Sequence, residues 1–173
     1  LQVSNTNNPR VDGFNLIGNP YPSPIDWLAL DRTDLDITYW IYNPEVGNVE
    51  CFHPFSGNVF GLADGNIASS QGFWVRSTGS TALNFEETDK TDVSSPIFKA
   101  IADAGTRLEI NLGSALNDYY DRSIVFFDSA GVDGYDAKDA FKMWFSHWDA
   151  PSLATVLPDG RDVMINTVPN NAG

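Results

Sequence analysis

The sequence predicts an all-β protein, specifically a β-sandwich of jelly-roll type with one or two short helical turns. Short apolar or alternating runs recur along the chain, and Gly, Pro, Asn and Asp separate them. Aromatic residues make up 13% of the 173 residues, and aromatic enrichment favours strands. Runs of this length between turn residues are typical of β-strands. The chain is also long enough to bury a hydrophobic core.

Each predicted strand is one of these runs. In chain order the runs are residues 14–17, 39–42, 49–52, 72–75, 82–85, 107–112, 123–127, 154–157 and 163–168. Residues 107–112 alternate apolar and polar side chains most regularly. This period predicts a half-buried strand whose buried face carries Leu108, Ile110 and Leu112.

The helical turns are predicted at two segments. Residues 27–30 could form one turn after a proline-rich segment. Residues 137–144 place apolar side chains at helical spacing, and Asp136 would be the N-cap. Both segments are too short to change the fold class.

The proline-rich segment is Asn19-Pro20-Tyr21-Pro22-Ser23-Pro24. Proline fixes φ and lacks an N–H, and each residue before a proline is held in extended geometry. The segment is therefore a stiff bend. It could be a pre-organised ligand loop, but a structural corner in which Asn19 hydrogen-bonds its own backbone is favoured.

A polar stretch without apolar periodicity, EETDKTDVSSP, divides the chain. Such a stretch is typical of a linker. We therefore expect a first β half at 1–90, a linker at 91–95 and a second β half at 96–173, together forming one compact module. The chain opens on Leu1 without a signal peptide, which predicts a piece of a longer protein.

The charge balance excludes some partners. The formal net charge is −13, from 23 acidic and 10 basic residues, and this field repels nucleic acid and anionic membrane surfaces. No apolar run is long enough to span a bilayer. We therefore expect neither a nucleic-acid partner nor membrane insertion. The single cysteine, Cys51, cannot form an internal disulfide.

Several separated segments resemble one family. They are GFNLIGNPYPSPIDW, ITYWIYNPEVGNV, GNIASSQGFWVRSTGSTALNF, RLEINL, FFDSAGVDGYDAKDA and PSLATVLPDGRDVMINTVP. This succession resembles the accessory β-rich region of Bacteroidetes secreted and cell-surface proteins that precedes the C-terminal sorting domain of type IX secretion. The most specific pieces are residues 15–27 and 65–75.

The resemblance implies a non-catalytic β-sandwich module that acts as a spacer or an adhesion-type interaction domain. It also implies an extracellular or outer-surface location. The implied partners are the neighbouring domains of the parent protein and the type IX secretion or surface-attachment machinery. No catalytic residue carries over from the family.

The alternative function is a carbohydrate-binding module. Sugar rings stack their apolar CH faces on aromatic side chains, while their hydroxyls bond to polar groups. The candidate ligand-binding residues lie in predicted loops beside acidic residues, and an extracellular polysaccharide would be the partner. They are Tyr119, Tyr120, Trp144 and Trp148. Packing of these rings against the sandwich is the competing interpretation.

Calcium is a candidate ion. Four aspartates lie within twelve residues around two glycines, and flexible oxygen-rich loops are what calcium binds. They are Asp128, Asp133, Asp136 and Asp139. Aspartates in such loops also act as turn and cap residues without a metal.

Catalysis has little support. His53 and His147 are the two histidines, and neither lies in a recognisable catalytic motif. Cys51 also lacks a partner motif. We therefore expect the protein not to be an enzyme, and a hydrolase is the least favoured of the three functions.

Overall fold

A computed structural model of the chain describes residues 10–56, 60, 65–92 and 106–170. This part is all-β, as predicted, and contains several mostly antiparallel sheets, consistent with a β-sandwich. The strands are β1 (Phe14–Gly18), β2 (Ile25–Asp26), β3 (Leu35–Asn43), β4 (Asn48–Phe52), β5 (Asn66–Ile67), β6 (Gly72–Ser77), β7 (Arg107–Gly113), β8 (Tyr120–Asp128), β9 (Ala140–Phe141), β10 (Thr155–Val156) and β11 (Asp162–Pro169).

Helical structure in the described residues is limited to one 3-10 turn, Glu87–Asp89. That turn was not predicted. Within the same residues no helix has the length and hydrophobicity that crossing a bilayer requires.

The chain divides into two compact units. The first unit comprises Leu1–Ile41 and Glu50–Ala102, and the second comprises Tyr42–Val49 and Asp103–Gly173. The turn between β3 and β4 therefore belongs to the second unit. Most of the predicted linker at 91–95 lies outside the described residues, so the division at 90 and 96 stays a prediction.

In the first unit, four antiparallel strands follow the order β1-β6-β3-β4, and β2 pairs with β5 in a separate two-stranded sheet. Strand β6 shows why the residues fold this way, because its side chains alternate between buried and less buried positions. Side chains from both sheets meet in one hydrophobic core that includes Ile25, Ile67 and Phe73.

Aromatic side chains fill that core. Trp27 is fully buried, and its ring lies edge-on to Tyr39 at 5.3 Å and to Phe73 at 6.2 Å. Its indole N–H donates to the Ile37 carbonyl at 2.7 Å. The predicted helical turn at 27–30 is a single hydrogen-bonded turn in which Ala29 N–H donates to the carbonyl of Asp26 at 3.1 Å.

The proline-rich segment is a corner held by buried Asn19. The Asn19 side-chain carbonyl accepts from Tyr21 N–H at 2.9 Å, which confirms the predicted bond to its own backbone. Its amide group donates to the carbonyls of Ser23, Ile67 and Ala68 at 2.9 to 3.2 Å. One side chain therefore joins the corner to the segment that follows β5.

In the second unit, the strand order is β10-β11-β8-β7, and β9 also pairs with β11. Strands β8 and β11 are parallel, with Ile124 opposite Ile165, and the other pairs are antiparallel.

The predicted helix at 137–144 is wrong, because this segment contains strand β9. The Asp136 carboxylate accepts from Lys138 N–H at 2.7 Å, so it closes a turn and does not cap a helix. Ala140 is then buried opposite Ile165 of β11. Pairing with β11 overrides the helical spacing.

Other predictions were also corrected by tertiary packing. Residues 82–85 form no strand, although Leu83 and Phe85 pack against the first core. Strand β7 exists, but its predicted buried face is exposed, since Leu108, Ile110 and Leu112 are 50%, 41% and 41% exposed. Strands β2, β5 and β9 were missed because two residues are too few to show a period.

Candidate functional site

Three neighbouring rings, one exposed and two half-buried, lie on the loops of the second unit. Trp148, in the segment between β9 and β10, is 88% exposed. The His147 ring lies 5.7 Å from Trp148, with 37° between the ring planes, and the Tyr119 ring lies 5.1 Å from His147. We call Tyr119, His147 and Trp148 the loop aromatic cluster.

Backbone hydrogen bonds fix the segment that carries Trp148. His147 N–H donates to the carbonyl of Gly47, in the turn between β3 and β4, at 2.7 Å. Buried Asn48 donates from its side-chain amide to the carbonyls of Tyr120 at 2.9 Å and Pro151 at 3.0 Å. The turn between β3 and β4 thus holds this loop in place, and exposed Trp148 lies on an anchored backbone.

Gly47 is required for this arrangement. Its φ is +69°, a left-handed conformation that glycine adopts without strain, and a Cβ there would lie 2.7 Å from the Tyr119 ring. The Tyr119 ring can therefore lie flat against the backbone of the turn. Tyr119 N–H also donates to the Asn117 side chain at 3.0 Å.

Polar groups flank the rings. His147 Nδ1 contacts Asp149 Oδ1, and both side chains are about one-third exposed. The Asn117 side chain donates to the Asp149 carbonyl at 3.3 Å, which ties the 114–119 loop to the 147–150 segment. The cluster thus combines an apolar ring surface with carboxylate and imidazole groups that reach solvent.

The His147–Asp149 pair resembles two members of a catalytic triad, in which a nucleophile hydrogen-bonded to the imidazole is the third. Within the described residues, no Ser, Thr or Cys side chain hydrogen-bonds to His147. The nearby Ser146 hydroxyl pairs with the Ser152 hydroxyl at 3.3 Å. The pair can orient a ligand, and among the described residues it activates no nucleophile.

The structure brings together only part of the predicted aromatic set. Tyr119 and Trp148 share the cluster, with His147 between them. Trp144 donates its indole N–H to Asp162 at 3.0 Å, and the Tyr120 hydroxyl accepts from Arg122 at 3.4 Å. His147 and Asp149 were not predicted as ligand contacts. Their position beside Trp148 in the sequence SHWD was the signal available.

Three aspartates of the calcium prediction, Asp128, Asp136 and Asp139, accept hydrogen bonds from backbone N–H groups. Asp128 pairs with Lys138 at 3.2 Å, and the Asp139 carboxylate accepts from the backbone N–H groups of Asp136 and Thr167 at 2.9 and 2.7 Å. No group of three or more His, Cys, Asp or Glu side chains that could hold a metal occurs in the described parts of the chain. The calcium site stays a prediction without an assembled ligand set.

Two of these aspartates have shifted pKa values. Hydrogen bonds from Ala130 N–H and Lys138 lower the pKa of exposed Asp128. Burial raises the pKa of Asp139, and its two backbone donors only partly oppose this effect. The opposite directions follow from exposure, because desolvation disfavours the charged form of an acid.

The first unit offers less for binding or catalysis. His53 is buried, with Nδ1 3.2 Å from the Ser56 hydroxyl, and Cys51 is buried as well. A cleft of about 170 Å³ lies elsewhere in this unit, which is smaller than most ligand pockets. It is lined by Ala29, Asp31, Asn84, Glu86, Thr88 and Asp89.

The fold and the site together define an all-β protein with an anchored aromatic cluster on its loops, in which Trp148 is exposed. No protein-family model, curated protein or solved structure matches the chain.

Proposed function

We propose that this chain is a non-catalytic interaction module of an extracellular or cell-surface protein, and that it makes contact through the loop aromatic cluster. The observation that carries the proposal is the exposure of Trp148 on an anchored loop. A large aromatic side chain left in water forgoes burial that stabilises a protein by roughly 2 kcal/mol or more. An exposed ring on a fixed backbone is instead typical of interaction surfaces, where Trp is a frequent anchor.

The surroundings of Trp148 support an interaction surface. Phe145, three residues earlier, is about half exposed, and Leu116 is exposed on the loop that Asn117 ties to Asp149. Several apolar side chains thus lie on neighbouring loops of one unit. Contiguous exposed apolar surface marks contact sites more often than isolated exposed residues do.

The family resemblance of the sequence supports a proposal for the parent protein and its partners. We propose a secreted or surface protein exported by type IX secretion, in which this module is a spacer or adhesion-type domain. Its partners would be neighbouring domains of the parent chain and the secretion or attachment machinery. The acidic net charge of −13 supports a location away from nucleic acid.

A glycan is the ligand class that the cluster itself favours. The Trp148 indole can stack on the CH face of a sugar ring, while Asp149 can accept hydrogen bonds from hydroxyl groups. His147 contacts both the Trp148 ring and the Asp149 carboxylate, so it lies between the stacking surface and the hydrogen-bond acceptor. An extracellular polysaccharide is therefore our second, more specific candidate partner.

Affinity electrophoresis in polysaccharide gels, together with a glycan array, tests this assignment. The variant Trp148→Ala should weaken glycan binding by about 30-fold, since aromatic anchors contribute about 2 kcal/mol. Phe55→Ala is the matched control, because Phe55 is an exposed aromatic residue of the first unit. It should bind as the wild type does.

Two results would count against these proposals. Uniform failure of the wild type to bind would remove the glycan candidate. Equal binding by the wild type and Trp148→Ala would remove the loop aromatic cluster as the contact surface. Unfolding curves for both variants should match the wild type within about 0.5 kcal/mol, as expected for exposed side chains.

A further inference from the structure

Strand β7 is an edge strand whose two charged side chains, Arg107 and Glu109, point inward and are ion-paired on the face that buries Ile124. It is last in the order β10-β11-β8-β7, and no strand of the described residues pairs with its outer side. Its seven residues, RLEINLG, contain neither proline nor lysine. Natural proteins usually shorten edge strands or add proline, lysine or inward-pointing charges, because an open edge pairs with other strands.

Two hydrogen bonds show which backbone groups face outward. Phe127 N–H donates to the Thr106 carbonyl at 3.1 Å, and Ser114 N–H donates to the Tyr119 carbonyl at 2.9 Å. The register between them is unbroken. Because bonded and non-bonded pairs alternate in an antiparallel ladder, the even-numbered residues of β7 bond to β8. The N–H and C=O groups of the odd-numbered residues 107, 109, 111 and 113 therefore point away from β8.

One face of the strand is apolar and uncovered. Leu108, Ile110 and Leu112 are between 41% and 50% exposed. Phe127 of β8 is exposed on the same face, since it lies opposite Thr106. On the other face Ile124 is fully buried. The open edge and the exposed apolar side chains thus coincide on one strand.

We infer that β7 pairs antiparallel with β7 of a second copy of the chain, about a twofold axis at Ile110. In this register Ile110 lies opposite Ile110, and Leu108 lies opposite Leu112 of the other copy. The apolar stripe then continues across the dimer, and aliphatic cross-strand pairs stabilise a sheet. The two five-stranded sheets become one continuous sheet of twice the width.

The charges and the backbone phase are compatible with this register. Glu109 lies opposite Asn111, and Arg107 lies opposite Gly113, so no like charges face each other. A shift that centred the axis on Glu109 would place two glutamates opposite each other, which destabilises a pair. A shift by one residue would oppose outward-facing groups with groups already bonded to β8.

The electrostatics of the edge permit association despite the acidic chain. Glu109 lies 3.3 Å from Arg122 and 3.9 Å from Arg107, so its charge is neutralised locally. The remaining repulsion comes from the net charge of −13 and acts over distances that salt screens. Self-association should therefore strengthen as the salt concentration rises.

Sedimentation velocity on the full chain, at protein concentrations up to about 1 mM, is the first test. The wild type should form a dimer in a concentration-dependent manner. Ile110→Lys should weaken it by about tenfold or more, because two ammonium groups would meet on the axis. Leu116→Lys is the matched control, since Leu116 is exposed just after β7 but outside the paired residues. It should dimerise as the wild type does.

Cysteine cross-linking tests the register without depending on the folding of Ile110→Lys. Under mild oxidation, Ile110→Cys should form a disulfide-linked dimer, because directly opposed residues lie within disulfide reach. Leu108→Cys should not cross-link to itself, but it should cross-link when mixed with Leu112→Cys. The native Cys51 is buried and should not contribute.

A wild type that is monomeric at every concentration would overturn the inference, as would dimerisation unaffected by Ile110→Lys. Self-linking of Leu108→Cys as efficient as that of Ile110→Cys would overturn it too, since the register would differ. None of the residues paired in this dimer belongs to the loop aromatic cluster. Trp148→Ala should therefore leave dimerisation unchanged, and Ile110→Lys should leave glycan binding by each chain unchanged.

Discussion

Among the described residues, the largest fully buried rings and the most deeply buried ion pair lie in different units. The first unit buries Trp27, Tyr39 and Phe73 completely in one cluster. The second unit leaves Trp148 exposed, yet it buries the charged residues Lys142 and Asp121. The amino-acid composition alone does not show which rings and which charged side chains are buried. Ring packing dominates the core of the first unit, whereas the second unit contains a buried ion pair and leaves Trp148 exposed.

The largest effect should come from removing a ring of the first core. Trp27→Ala deletes a fully buried side chain and its hydrogen bond to Ile37, and truncation of buried aromatic residues costs about 3 to 5 kcal/mol. Chemical denaturation measures the loss, and hydrogen exchange should show the greatest loss of protection in β3 and β6. Leu28→Ala is the control, because Leu28 is half exposed and should cost under about 1 kcal/mol. Equal costs for the two variants would contradict the importance of ring packing.

A somewhat smaller effect should come from breaking the buried ion pair of the second unit. Lys142 Nζ contacts Asp121 Oδ2, which also accepts from Leu153 N–H at 2.6 Å. Lys142→Met would leave a buried carboxylate without its cation, at a cost of about 3 kcal/mol.

A second substitution isolates the electrostatic part of that loss. Adding Asp121→Asn to Lys142→Met removes the uncompensated charge while keeping a carbonyl for the backbone donor. The double variant should be more stable than Lys142→Met alone, as measured by urea unfolding. If it is less stable, the cost arises from packing and not from a buried charge.

The smallest effect should be a pH dependence of stability that arises from an aspartate of the second unit. Burial raises the pKa of Asp139 above its ordinary value of 3.8, so the folded protein takes up this proton before the unfolded chain does. The contribution of Asp139 to stability therefore increases as the pH falls through the raised pKa, and it becomes constant below about 3.8. Its slope cannot exceed about 1.4 kcal/mol per pH unit.

The pH dependence of stability that Asp128 contributes has the opposite sign, so Asp128 serves as the control. Its pKa is lowered by hydrogen bonds, so its contribution is present above pH 3.8 and is lost as the pH falls through the lowered value. Relative to Asp139→Asn, the wild type should gain stability on acidification. Relative to Asp128→Asn, it should lose stability. Thermal unfolding between pH 3 and pH 7 checks both signs, and slopes of the same sign would contradict this assignment.

The sequence predicted most strands because their periods are local. Alternation in β6 and β7 marked both as strands, since successive side chains point to opposite faces. The same period could not say which face is covered, because that depends on what packs there. Ile110 was expected in the core and is exposed, while the opposite face of its sheet buries Ile124.

The candidate site shows the same limit. The aromatic content near the second half indicated Trp148 and Tyr119 as ligand candidates. The sequence could not predict the hydrogen bond that anchors the loop of Trp148, since it joins Asn48 to Pro151 across 103 residues. The need for Gly47 also arises only once the Tyr119 ring lies against that turn.

By itself the sequence determined the all-β class, the larger strands and the stiff corner at Asn19, because strand periods and proline restrictions act between neighbouring residues. Tertiary structure alone decided that residues 140–141 pair with β11, that the β7 face is exposed and that His147 lies between Tyr119 and Trp148. These outcomes depend on contacts between segments distant in the chain. Local propensity sets the elements, and the packing of distant segments decides which of their faces remain available for binding.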